Sequence, residues 1–192
     1  MLITTKWIMS HTPSPKYSES RVHEIVGDGL DLRGLWDKRS MLDNLTDFLC
    51  VGLHSDMLGV TKLRWLLTGI AAHVLPVYET THPEGLAPRT AIVVARQYLR
   101  GENKTTLAKV NIAADDAQIA AAHASNITAH HAAIAASYAA KAIADPTYAR
   151  TISTYATNAA EAEQDWQCLW VLDYAEGDPE PFTLPPRERK KQ

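Results

Sequence analysis

Apolar residues recur at three- and four-residue steps through most of the chain beyond residue 37, which is the period of helices that bury one face. Val60, Leu63, Leu67, Ile70, Val74 and Val77 mark such a face on a helix ending near Glu79, with Pro76 placed to kink or shorten its last turn. Residues 37–50 carry an amphipathic pattern of the same kind, and "SDMLG" reads as the connector that follows. "THPEGLAPRT" then interrupts the period with two prolines and a glycine; Pro88 suits the first turn of the next helix, which closes at Gly101. A further helix starts near Asn103 and runs through Leu107, Val110, Ala114 and Ala117. After a break at "HASN", Ile127, His131, Ile134 and Tyr138 continue a comparable face. Asp145-Pro146 is a helix-start signal. Tyr148, Ile152, Tyr155, Ala159, Ala162, Trp166 and Leu169 then form the stripe of one long helix ending near Gly177.

The two ends lack this period. Residues 1–35 read as irregular, with Gly27, Gly29 and Gly34 at expected turns and room for a short strand pair. The glycines complete neither a G-x-G-x-x-G nor a Walker pattern. "DPEPFTLPPRERKKQ" is proline-rich and ends basic, so an extended tail is expected. The pattern predicts an all-α fold: a compact, alanine-rich multi-helix bundle, one domain over 1–180, with an irregular N-terminal segment and a proline-rich basic tail over 181–192.

Alanine dominates "AHHAAIAASYAAKAIADPTYA", residues 129–149. It has the highest helix propensity, loses no side-chain entropy, and lets helix axes approach closely. Its burial removes little apolar area at roughly 25 cal/mol per Å². This segment is therefore expected to be a central helix stabilised by larger neighbours such as Trp65, Trp166 and Trp170.

Composition narrows the function. The 192 residues are 46% hydrophobic and 21% charged, ordinary for a globular chain, and the formal charge is -3. Such a balance offers no general attraction to a nucleic acid polymer or an anionic membrane. "WLLTGIAAHVLPVY", with an internal histidine and proline, falls short of the ~20 apolar residues that span a bilayer. Only Cys50 and Cys168 are present, far apart, which fits buried thiols in a reducing compartment. With no secretory pattern at the N-terminus, the expected location is cytoplasmic.

Three constellations stand out. Arg89, Arg96 and Arg100 share a helix face and would suit phosphate or carboxylate groups, or salt bridges to Glu79, Glu84 or the Asp115-Asp116 pair. His123, Asn126, His130, Ser137 and Lys141 make a polar stripe able to line a small-molecule pocket, whereas His131 reads as a core histidine. Glu161, Glu163, Asp165, Asp173, Glu176, Asp178 and Glu180 make the end of the last helix acidic; Glu161, Asp165 and Asp173 are the candidates for contact with a basic partner. The histidine spacing matches no helical zinc motif, and no nucleophile, base and orienting group assemble, so neither a metal, a cofactor nor a catalytic residue is expected.

"KLRWLLTGIAAHVLPVYETTHPEGLAPRTAIVVARQYLRGE" followed by "AHHAAIAASYAAKA" resembles the alanine-rich helical domain of an immunity protein family of bacterial polymorphic-toxin systems. Leu75, Pro76, Glu79, Pro88, Arg89, Arg96, Gly101, His131 and Tyr138 carry the resemblance, which covers roughly 62–142. It implies an all-helical, non-catalytic protein that neutralises a toxin or other effector by stoichiometric binding. The residue pattern leaves an alternative open: a phage or mobile-element protein that sequesters a small anionic ligand such as a nucleotide signal. The apolar stripe of the last helix also leaves room for a homodimer.

Overall fold

The computed structural model describes residues 1–11, 17–43, 45–102, 104–177 and 183–184. Among them lie eleven α-helices and no strand; one isolated antiparallel bridge joins Ile3 to Leu30. The all-α expectation holds. The helices are α1 (Thr5–His11), α2 (Glu19–Val26), α3 (Leu32–Asp37), α4 (Leu45–Gly52), α5 (Ser55–Leu58), α6 (Val60–Thr81), α7 (Ala87–Leu99), α8 (Leu107–Ala122), α9 (Ile127–Lys141), α10 (Ala149–Ala159) and α11 (Glu163–Glu176).

The alanine-rich helix α9 packs against α6, α7, α8 and α10. Ala129, Ala132, Ala133, Ala135, Ala136, Ala139 and Ala140 are all fully buried, so α9 turns methyl groups toward neighbours on several sides. Small side chains permit that close approach, and the bulk comes from the partners: Leu63, Leu66, Leu67, Ile70 and Leu75 of α6 are fully buried in the same core. The tryptophans expected in this role, Trp65, Trp166 and Trp170, are only partly buried at its margin. A second apolar cluster joins Ala91 and Ala95 of α7, Val110, Ala113, Ala114 and Ala117 of α8, and Ala140 and Ile143.

Helix boundaries follow local chemistry where a cap is present. The Thr106 side chain accepts from Lys109 N, and Asn126 Oδ1 accepts from Ala129 N, fixing the starts of α8 and α9. The expected start near Asn103 is thus displaced to Leu107. α6 continues through Pro76 to Thr81 rather than shortening there.

Three other expectations are corrected. Helices α1, α2 and α3 occupy much of the region read as irregular; Ser18 and Asp31 cap α2 and α3, signals outweighed in the sequence by the neighbouring glycines. The single helix expected over 37–50 is instead the end of α3, a 3-10 turn at Arg39–Met41, and α4. The long final helix is broken into α10 and α11 at Ala162, which adopts a left-handed φ of 59°. Such a conformation costs an L-residue roughly 1–2 kcal/mol. Neither glycine nor proline announces it, and Asn158 still lies inside α10; the turn is held by what Glu163 reaches on its far side. The tail expected over 181–192 lies almost wholly outside the described residues. Among the described residues no helix is long and apolar enough to cross a membrane.

Candidate partner-binding face

Helix α11 packs on α4, α6 and α10 through Gln167, Cys168, Val171, Leu172 and Tyr174, all buried. Its other side presents Asp165, Leu169, Asp173 and Glu176, spaced four, four and three apart and all exposed, which puts them along one ridge. Leu169 is 52% exposed between two carboxylates. Glu161 is exposed at the turn that leads into the helix. No lysine or arginine occurs from 151 to 177. Toward the C-terminal end Arg33 lies 3.1 Å from Glu176, and Lys62 Nζ donates to the carbonyls of Tyr174 and Gly177. Among the described residues Glu161, Asp165 and Asp173 make no ion pair.

An aromatic ladder runs beside the ridge. The ring of His73 on α6 stacks on Trp166 at 3.7 Å and 4°, and Trp166 stacks on Trp170 at 4.3 Å. Trp170 reaches onto α6, where its ring occupies the place a side chain at Gly69 would take. Both tryptophans are half-buried, so each is fixed by packing while keeping part of its surface toward solvent.

Beneath the ladder lies a buried polar network. Glu163 belongs to the acidic run by sequence only: its side chain is wholly buried, accepting from His73 Nδ1 at 2.6 Å and from Gln167 Nε2 at 3.2 Å. Gln167 Oε1 accepts from Ser153 Oγ at 2.5 Å. A buried carboxylate is costly unless such donors satisfy it. Together these bonds fasten the first turn of α11 to α6 and α10, leaving little freedom in the ridge above. Sequence reasoning missed this network; its one visible signal was His73, a lone polar ring inside an apolar helical run.

The arginine row does not face outward as a unit. Arg89 makes two parallel bonds to Glu79, Nε to Oε1 at 2.6 Å and Nη2 to Oε2 at 2.7 Å, joining the end of α6 to the start of α7. Arg96 is buried, its Nε donating to Thr68 Oγ1 and its Nη2 to the Thr68 carbonyl, both at 3.1 Å. Burial pulls its pKa down to about 10, against the opposing pull of Tyr174. Arg100 is half-exposed, 3.6 Å from Glu102 and over the Trp65 ring.

The histidine stripe is likewise divided. His123 Nδ1 bonds the Ile119 carbonyl at the end of α8, and His130 Nδ1 bonds the Ala121 carbonyl at 3.0 Å. Asn126 is occupied as the cap of α9. Ser137 is buried, its hydroxyl without a hydrogen-bond partner among the described residues, while Lys141 lies 2.6 Å from Gln118 Oε1 and 3.5 Å from Asp115. His131 sits against Tyr155 and the Asn158 carbonyl. The open cleft lined by Val94, Gln97, Glu102, Lys104, Thr105 and Lys109 includes none of the eight residues of the row and the stripe.

A family model described as Imm-5 like putative immunity protein matches residues 61–176. The chain belongs to this family. The match begins with the first turn of α6 and ends with α11, so the ridge, the tryptophan ladder and the Glu163 network all lie within the family's span, beyond the 62–142 that the resemblance covered. No curated protein and no solved structure matches the chain. Helices α1 to α5 precede the matched span.

Proposed function

We propose that this immunity-family chain neutralises a toxin by stoichiometric binding, and that the α11 ridge is the surface that grips it. One observation carries the reading: exposed Asp165, Leu169 and Asp173 stand in line beside two half-buried, stacked tryptophans, on a helix whose first turn is locked from below by buried Glu163.

Each part has a physical role. The uncompensated carboxylates raise the encounter rate with a basic surface and discriminate against acidic ones. Leu169 and the exposed edges of Trp166 and Trp170 supply apolar area, and aromatic anchors of this kind dominate binding energies at protein interfaces. The rigid underside reduces the ordering cost of association. Inhibition by occlusion requires no catalytic group on this chain.

A toxin recovered with the tagged wild-type chain from its host is the partner to use. Co-expression with wild-type chain should give a one-to-one complex on gel filtration and rescue growth. Asp165→Lys combined with Asp173→Lys should leave the fold intact, slow association at low salt, and forfeit rescue. A folded double variant that protects as well as wild type removes the ridge from the account.

A further inference from the structure

Outside the family span, three side chains of metal-ligand type from two parts of the N-terminal region converge. His11 ends α1, His54 sits immediately before α5, and Asp56 is in the first turn of α5. Their ligand atoms lie within 4.8 Å of one another. His11 Nε2 is 3.4 Å from Asp56 Oδ2, and His54 Nδ1 is 3.8 Å from the same oxygen. His54 Nδ1 also accepts a long 3.4 Å bond from Asp56 N as the cap of α5, so ligation through this nitrogen exchanges that bond for the ion. Ligands about 2.0–2.1 Å from a tetrahedral zinc ion are separated by roughly 3.3 Å, so the first distance already equals a coordination edge and the second requires a small contraction.

The surroundings orient these groups. His11 Nδ1 donates to the Trp7 carbonyl at 2.8 Å, which leaves Nε2, the nitrogen facing Asp56, with its lone pair. A carbonyl on the remote ring nitrogen is the usual outer partner of a metal-ligating histidine, fixing both tautomer and ring plane. The Trp7 ring stacks on His11 at 4.4 Å and meets His54 edge-on at 5.2 Å, while the two imidazoles cross at 86° with centroids 4.7 Å apart. All three groups retain access to solvent, so an ion has a route in and water a place in the fourth position.

We propose that His11, His54 and Asp56 form a binding site for a divalent transition-metal ion of the zinc class, which fastens α1 to the start of α5. Two imidazole nitrogens and one carboxylate oxygen favour such an ion over calcium or magnesium, which take oxygen ligands. The third protein ligand leaves an open position, and its occupation by water makes the site four-coordinate. Its role is structural: α1 is seven residues long with no fully buried residue, held by the partial packing of Trp7, Ile8 and Met9 on the core, and a bridging ion adds a second anchor.

The test uses tag-free, full-length protein freed of metal with a chelator. Calorimetric titration with zinc chloride should show one equivalent bound per chain, with a matching rise in melting temperature. Cobalt(II) should give the intense visible absorption of a tetrahedral site, displaced by zinc. His11→Ala, His54→Ala and Asp56→Asn should each weaken zinc binding by tenfold or more while circular dichroism stays unchanged; His123→Ala, at the far end of α8, should bind as wild type. If a variant loses helicity, the cobalt spectrum of the wild-type protein decides. Absence of stoichiometric zinc binding, an octahedral cobalt spectrum, or wild-type zinc affinity in the three site variants overturns the proposal.

Discussion

His73 Nδ1 and Glu163 Oε2 are 2.6 Å apart, joining the middle of α6 to the first residue of α11 across ninety positions of chain, with the carboxylate wholly buried. The bond holds the exit from the left-handed Ala162 turn, and so decides where the acidic ridge points. Glu163→Ala removes the buried acceptor shared by His73 Nδ1 and Gln167 Nε2, leaving Gln167 only its long bond to the Ser153 carbonyl, and should cost about 2 kcal/mol, with Glu163→Gln costing less because it keeps an acceptor oxygen. Urea unfolding followed by circular dichroism measures both. Equal stability of all three proteins would mean that the network does not hold α11.

Gly69 of α6 and Trp170 of α11 meet closely, with the indole filling the space above the glycine. Gly69→Ala forces that ring aside. Overpacking of this sort costs roughly 1–3 kcal/mol, more than alanine's gain in helix propensity at the same position. Adding Trp170→Leu should recover part of the loss, and a double-mutant cycle on denaturation midpoints reports the coupling.

How far was this architecture legible from residue order? The periodicity of Leu63, Leu67, Ile70 and Val74 identified the buried face of α6, and all four are buried. The ends of that pattern were less faithful: Val60 is 42% exposed, and Ile127, assigned to the buried side of α9, is 64% exposed. At a helix terminus the neighbouring packing surface has already ended, so period alone does not report burial. The centrality of α9 followed from alanine's size. The break at Ala162 was invisible because it depends on a partner ninety residues away, and the apolar stripe runs straight across it. The same distance problem hid the role of Glu163, counted with exposed acids until His73 claims it. Arg89 and Glu79 were readable as partners because only a short turn separates their helices.

That arginine–glutamate pair should differ from ordinary surface ion pairs. Both side chains are mostly buried, 18% and 11% exposed, and the two bonds are parallel. A double-mutant cycle with Arg89→Ala and Glu79→Ala should give a coupling of about 1–2 kcal/mol, above the few tenths typical of exposed pairs. The Arg100–Glu102 pair, 3.6 Å apart and half-exposed, serves as the comparison and should give almost none.

Burial pushes the Cys168 thiol up to about 12, with nearby Asp165 adding to the effect. Cys50 is raised as well, mainly by burial, though Arg150 opposes it. At neutral pH both thiols are protonated in folded and unfolded chains and contribute almost nothing to the pH dependence of stability. Between about 9 and 12 the unfolded state ionises Cys168 while the folded state does not, so this group lowers stability as pH rises. Replacing Cys168 with alanine should flatten that decline by the share this thiol contributes, measured as the slope of unfolding free energy against pH. At pH 8 a thiol reagent should leave Cys168 unmodified in the folded protein and label both cysteines after denaturation.

The most direct test of the binding account is the association of purified chain with the toxin recovered with it, followed by calorimetry and by surface-immobilised kinetics at low and high salt. The account predicts one-to-one binding whose association rate falls with salt, falls again when Asp165 and Asp173 become lysine, and whose dissociation quickens when Trp166 is truncated. Tight binding that is indifferent to salt and to all three substitutions, in variants that remain folded, would contradict it.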